Sequence, residues 1–380
     1  MTDRQQQSVP DDDERTRALL LRALDTIRRL EAERDAGPRA SPEPVAIIGM
    51  AVRVPGLVAE PDGFRGSLDA YWSLLSEGRD AIGRVPPDRW DADAWFDPDP
   101  GTPGAVASRE GGFLADPFGF DAPLFGMTPR EALSTDPQHR LLLEVAWEAL
   151  ESAGQPPRAL GARRVGVYAG LTTHDHGVRV ARAPERIDPF SGAADMASAA
   201  AGRVSHVLGL TGPAIAIDAA CASSLVAVHL ALQGLAAGDC EIALAGGVNL
   251  ILSPEASIHM SRVGALATDG RCRTFDAAAS GIGRGEGAGI VVLKRLSDAV
   301  AAGDPIRAVI AGSAVNQDGG ASGFSAPNPA AQADVIRRAL LSSGFLGSSV
   351  GYVECHGTGT RLGDPIEVGA LGGVFGGSVG

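Results

Sequence analysis

The chain is poor in three things. It has four cysteines in 380 residues, Cys221, Cys240, Cys272 and Cys355. Their spacings match no zinc pattern, and four scattered thiols in a chain this size suggest no disulfide framework, so a reducing cytoplasm is the expected compartment. Positive charge is in deficit: the formal net charge is −13, which argues against nucleic acid as a partner. Long apolar runs are also lacking. No stretch reads as a bilayer span, and the polar start Met1–Gln7, followed by acidic residues at 11–14, is no secretory signal. No membrane is therefore expected. What remains is ordinary for a globular enzyme, with 44% hydrophobic and 21% charged residues, and long enough for one large domain or two smaller ones. Fifty glycines stand out, clustered in the second half in loops rather than repeats.

Residues 1–13 read as disordered, and 14–35 as one helix. Leu20, Leu24 and Ile27 repeat with a 4–3 spacing, with Leu30 close to the same face and Arg and Glu covering the rest. That pattern suits a short coiled coil, and equally a capping helix packed on its own domain. A Pro-rich linker at 37–44 ends it. The globular body is expected from Val45 onward. Strands are predicted at 45–49, 165–169, 241–245, 289–293, 306–314 and 350–354, and helices at 68–76, 136–153, 332–342 and 365–375. A long irregular excursion is predicted from 84 to 125. Strands alternating with helices indicate α/β layers.

Cys221 lies in Ala-Ile-Ala-Ile-Asp-Ala-Ala-Cys-Ala-Ser-Ser-Leu, where a predicted buried strand hands over to a predicted buried helix at 223–237. Free N–H groups and the positive end of a helix favour a thiolate there and can hold an oxyanion. A buried structural cysteine is the plain alternative. His356 ends the predicted strand at 350–354, in a loop with two glycines and two threonines where a ligand could approach. A strand-end Cys and a strand-end His make a Cys/His constellation possible, against the alternative of a structural histidine. Other candidates are weaker. His174-Asp175-His176 lacks further ligands for a metal, so none is expected. Residues 281–289 are Gly-rich but lack the Lys-Ser/Thr of a phosphate loop. His139 lies inside a helix and reads as structural. Arg271 and Arg273 could meet a phosphate or pair with Asp269 or Asp276.

Taken together, certain motifs resemble the ketosynthase domain of modular type I polyketide synthases, in the thiolase-like superfamily. They are Asp-Pro-Gln-His-Arg-Leu-Leu-Leu-Glu (136–144), Asp-Ala-Ala-Cys-Ala-Ser-Ser-Leu (218–225), Gly-Arg-Cys-Arg-Thr-Phe-Asp (270–276), Arg-Gly-Glu-Gly (284–287), Asn-Gln-Asp-Gly (316–319), Ala-Pro-Asn (326–328) and His-Gly-Thr-Gly-Thr (356–360). The resemblance covers 45–380 and implies a five-layered αβαβα fold. It implies that Cys221 takes an acyl group from an acyl carrier protein, that a malonyl-type extender loses carbon dioxide, and that the enolate attacks the acyl-enzyme. His356 matches the histidine that supports the enolate. Thr358 and Thr360, and less directly Ser325, match residues that hold the phosphopantetheine arm. No cofactor is implied for the domain itself, since substrates ride on the carrier's phosphopantetheine.

The resemblance further implies a homodimer, and it makes the helix within 1–36 a docking element for an upstream synthase polypeptide, with Leu20, Leu24 and Ile27 as its seam. Ala220 and Ala222 stand where the family often has Thr and Ser, and Ser280 where it often has Asp; neither change threatens the chemistry. The family's second histidine, in a Lys-Ser-Asn-Ile-Gly-His motif, lies beyond Gly380. The second half of the fold is therefore expected to be incomplete and the chain alone inactive. The rival expectations are a non-catalytic docking or scaffold fragment and a fatty-acid-type ketosynthase.

Overall fold

The computed structural model describes residues 43–57, 68–161, 163–320, 323 and 326–376. The chain divides into Met1–Pro42 and Glu43–Gly380. The expected docking helix, with Leu20, Leu24 and Ile27, lies outside the described residues, as does Ser325.

The body opens with β1 (Val45–Arg53), α1 (Leu68–Ser76), β2 (Ile82–Arg84), β3 (Glu110–Gly112), α2 (Pro129–Ser134) and α3 (Pro137–Ser152). Next come β4 (Val165–Gly170), α4 (Asp175–Ala181), α5 (Ala197–Leu208), β5 (Ala214–Ile217) and α6 (Ser223–Ala237). Then follow β6 (Ile242–Asn249), α7 (Glu255–Arg262), β7 (Gly287–Arg295), α8 (Leu296–Ala302), β8 (Ala308–Ile310), α9 (Pro329–Ser343) and α10 (Gly363–Phe375).

Six strands form one mixed sheet in the order β5-β4-β6-β7-β1-β8. β4 runs parallel to β5 and β6, whereas β6–β7, β7–β1 and β1–β8 are antiparallel. β6 is buried on both faces, so it reads as a continuous apolar run rather than an alternating one. Its residues still alternate between two cores. Ile242 and Leu244 join Leu142, Val145, Ala149 and Leu150 of α3. Ala243 and Ala245 meet Ala227, Ala231 and Leu235 of α6 on the other face. The result is a helix layer, a sheet and a second helix layer.

α3 forms where the sequence indicates. Asp136 caps it, accepting the Gln138 N–H at 2.8 Å, and Pro137 occupies the first turn. The helix lies so close to β1 that a Cβ at Gly49 would fall 2.5 Å from the Ala149 carbonyl oxygen. The β1–β7 register shifts between Ile47 and Gly49.

Several expectations need correction. β5 is an edge strand with Ile215 41% exposed, not a buried one. α6 buries one row of small residues on β4 and β6 while Leu225 stands 75% exposed, so it is a half-covered helix. An 18-residue window, Ala220–Ala237, has a mean hydropathy of 1.6, so by length and composition a segment capable of crossing a bilayer does exist. Its buried row shows that it packs as a sheet-covering helix here. The strand expected at 306–314 is limited to Ala308–Ile310, the stretch that pairs with β1. Residues 350–354 form no strand: they have no ladder partner among the described residues, and Tyr352 is 80% exposed. β composition without a neighbour does not make a strand.

Candidate active site

Cys221 occupies a tight turn between β5 and α6. Ala220 N–H donates to Asp218 Oδ1 at 3.1 Å, Ala219 N–H to Ser223 Oγ at 2.9 Å, and Ser223 Oγ–H to the Ala220 carbonyl at 2.7 Å. These bonds hold Ala220 at φ +50°, a left-handed conformation that costs a non-glycine residue about 1–2 kcal/mol. The sharp turn leaves the Cys221 thiol exposed at the foot of the 15-residue α6, while Cys240 is buried. The helix start also presses onto the sheet. A Cβ at Gly170 would lie 2.8 Å from backbone atoms of Ser223 and Ser224, so only glycine fits there.

The thiol faces a cleft of about 750 Å³ whose lining includes Val52, Thr172, Val248, Met260, Ile282 and Arg284. Gly170 and Gly247, at the carboxyl ends of parallel β4 and β6, form its floor. Open α/β sheets bind ligands at such strand ends.

One wall of the cleft, 282–289, is anchored by Glu286. Its carboxylate accepts Arg89 Nε at 2.9 Å and Nη2 at 2.7 Å, the Leu114 N–H at 2.9 Å and the Ile251 N–H at 3.0 Å. Both side chains of the Arg89–Glu286 pair are 0% exposed. The irregular excursion, which carries the small β2–β3 ribbon, is thereby tied to the cleft wall.

His356 sits on a loop stitched to the start of α10. Glu367 accepts the N–H groups of His356 at 2.6 Å and Gly357 at 2.9 Å. Buried Asp364 accepts those of Gly359 at 3.0 Å and Phe275 at 2.7 Å. Thr274 Oγ1 donates to the Gly357 carbonyl at 2.6 Å. Gly357 and Gly359 have φ of +56° and +66°, which glycine adopts freely. The hydroxyls of Thr358 and Thr360 are 2.9 Å apart, and Thr360 also accepts the Gly363 N–H.

Among the described residues, the two halves of the expected constellation are linked through a shared element. Gly281 N–H donates to the Gly359 carbonyl at 2.9 Å, and the chain from Ile282 onward lines the Cys221 cleft. His356 is exposed and is not among the residues lining that cleft. Thr360 instead borders a neighbouring pocket of about 400 Å³ with Phe275, Asp364 and Val368.

The weaker candidates take structural places. Arg271 pairs with Asp80 at 2.8 Å and Glu110 at 2.6 Å, and Arg273 pairs with Asp269. Asp175 opens α4 and accepts the Leu252 and Ser253 N–H groups. His176 Nε2 lies 3.0 Å from the Ser134 carbonyl. His139 is fully buried with no partner on either ring nitrogen among the described residues, and burial, then Arg203, pull its pKa down to about 3.

Sequence reasoning missed Glu286, Asp364 and Glu367 as builders of the site. For Asp364 a signal was present, because Asp-Pro directly after the loop marks a helix start with an acid in its first turn, whereas Glu367 lies beyond that turn.

Residues 42–299 match the family described as Beta-ketoacyl synthase, N-terminal domain, and 307–379 match Beta-ketoacyl synthase, C-terminal domain. The chain is similar to a phenolphthiocerol/phthiocerol polyketide synthase polypeptide of Mycobacterium tuberculosis, at 54% identity over 334 residues, 88% of this chain and 21% of that protein. Another phenolphthiocerol/phthiocerol polyketide synthase polypeptide, from Mycobacterium bovis, is 49% identical over 363 residues, 94% of this chain and 16% of that protein. The chain thus spans about a fifth of the length of these relatives. Among solved structures, an oxazolomycin ketosynthase domain from Streptomyces albus aligns with a TM-score of 0.81 at 41% identity, covering 88% of this chain and 56% of that one. The ketosynthase from module 6 of the bacillaene synthase of Bacillus subtilis aligns at 0.80 and 40% identity, covering 89% and 55%. These neighbours have the thiolase-like ketosynthase fold, of the same α/β class and with a mixed sheet.

Proposed function

The chain belongs to the beta-ketoacyl synthase family, and from that premise we propose that it performs the decarboxylative condensation of a polyketide synthase. Cys221 is the nucleophile. Its thiolate attacks the carbonyl carbon of an acyl thioester, and the carrier thiol leaves with a proton. A malonyl-type thioester then loses carbon dioxide. The resulting enolate carbon attacks the Cys221 thioester, forming the new carbon–carbon bond and freeing the sulfur. His356 donates to the enolate oxygen. The observation that carries this reading is the exposed thiol of Cys221 at the start of α6, opening on a large cleft. The N–H groups at the helix start are placed to hold the oxyanion of the attacked carbonyl.

Acyl and extender groups arrive on the phosphopantetheine arm of an acyl carrier protein. Thr358 and Thr360, with Ser325, hold that arm through their hydroxyls. A second copy of the chain is the structural partner, and the exposed edge of β5 supports this, because an unpaired strand edge is a template for association. The segment 1–36, with Leu20, Leu24 and Ile27, receives the upstream synthase polypeptide. The four free thiols suit a cytoplasmic location.

The test is to incubate the full chain with an acyl thioester and map the adduct by mass spectrometry. Acyl mass on the peptide carrying Cys221 is expected. Acyl mass confined to Cys240, Cys272 or Cys355 would refute the assignment.

A further inference from the structure

Arg284 is a cation that the condensation chemistry leaves without a task. It is half-buried just before β7 and lines the Cys221 cleft. Its Nη1 donates to Ser257 Oγ of α7 at 2.8 Å. No other hydrogen bond of the guanidinium, and no ion pair, is formed among the described residues. The two carboxylates whose charges act on it are engaged elsewhere: Glu286 with Arg89 and two backbone amides, Asp175 with two more. A guanidinium has five N–H donors, and none of the others here is a sealed polar atom without a partner. They remain open to a ligand.

The charges around it constrain what that ligand is. Arg89 and Arg284 face Glu286 and Asp175, and Asp88 also pairs with Arg89, so the cations are already matched by carboxylates before any ligand enters. A neutral acceptor fits such a site better than an anion, which would bring an unmatched charge out of water. Val52, Val248, Met260 and Ile282 give the same cleft an apolar portion that suits a hydrocarbon chain.

We propose that Arg284 is a specificity residue that selects acyl chains bearing a hydroxyl or carbonyl oxygen over fully saturated ones, by donating N–H groups to that oxygen. This rests on the ketosynthase reading above. A hydrogen bond to a charged donor is worth roughly a 10- to 100-fold preference.

The experiment compares acylation of Cys221 in the full chain by hexanoyl and β-hydroxyhexanoyl thioesters of N-acetylcysteamine, in wild type, Arg284→Met and Arg284→Lys. In each case the Cys221 thiolate displaces the N-acetylcysteamine thiol, and the rate is read by intact mass. The expected result is faster acylation by the hydroxylated chain in wild type. The ratio should collapse towards one in Arg284→Met and stay partly retained in Arg284→Lys. Equal rates for the two chains in wild type overturn the proposal without any variant, and leave the ketosynthase reading standing. A ratio unchanged in a folded Arg284→Met also overturns it. Failure of both thioesters to acylate Cys221 overturns the ketosynthase reading, and this inference with it.

Discussion

Glu286→Gln is the substitution whose cost the structure fixes most directly. The change is nearly isosteric, so packing is unaltered and the effect is electrostatic. In the native protein the carboxylate serves four donors, and its partner Arg89 is fully buried. Asp88 Oδ2 lies 2.8 Å from Arg89 Nη1, but that carboxylate is 47% exposed and the contact is not aligned as a hydrogen bond. It compensates poorly. Breaking one side of a buried pair costs about 3–5 kcal/mol, because the remaining charge stays out of water. The glutamine adds a further conflict: each carboxylate oxygen accepts one Arg89 nitrogen and one backbone N–H, so the NH2 on either side faces both, donor against donor. Denaturant unfolding of wild type and variant, followed by tryptophan fluorescence and circular dichroism together, measures the loss.

A companion variant separates charge from hydrogen bonding. Adding Arg89→Met to Glu286→Gln removes the stranded cation and should recover part of the loss. What remains is the amide that a single glutamine oxygen cannot serve, about 1–3 kcal/mol. A cost for Glu286→Gln below about 1 kcal/mol, or no recovery in the double variant, would refute the reasoning.

Cys221→Ala should abolish acylation and condensation, and Cys221→Gln should keep decarboxylation alone; labelled carbon dioxide release and product analysis separate the two. Gly359→Ala should impair condensation more than acylation, because its Cβ would meet the Gly281 carbonyl at 3.0 Å and force a φ of +66° on alanine; single-turnover assays of each half-reaction check this. His139 adds a pH dependence. Its folded pKa of about 3 lies below the ordinary 6.5, so the native state binds fewer protons between these values and loses stability as pH falls through that window. Asp136, raised by burial to about 6, acts in the opposite direction between 3.8 and 6. His139→Phe removes only the first effect, so its stability advantage over wild type should grow as the pH drops below 6.5, and parallel stability curves would count against it.

What acts over a few residues is legible in the sequence. An N-cap aspartate, a proline in the first turn and an apolar run define α3 within about a residue. The apolar run of β6 and the placing of Cys221 at a strand–helix junction follow from similar short windows. So does the glycine-rich His356 loop, whose two positive φ angles require residues without a Cβ.

The tertiary structure decided everything that needs a partner. Residues 350–354 have strand composition, yet no neighbouring strand pairs with them among the described residues. The apolar stretches 214–217 and 223–237 look buried in sequence; their positions at a sheet edge and on one sheet face leave half of each uncovered. The sequence marks Cys221 by its place at a strand–helix junction, but only the fold exposes it and buries Cys240. Glu286 reaches Arg89 across 197 residues of chain, a distance no local window spans. Local chemistry is written in propensities and caps that act over a few residues, whereas burial and charge pairing depend on which distant surfaces the folded chain brings together.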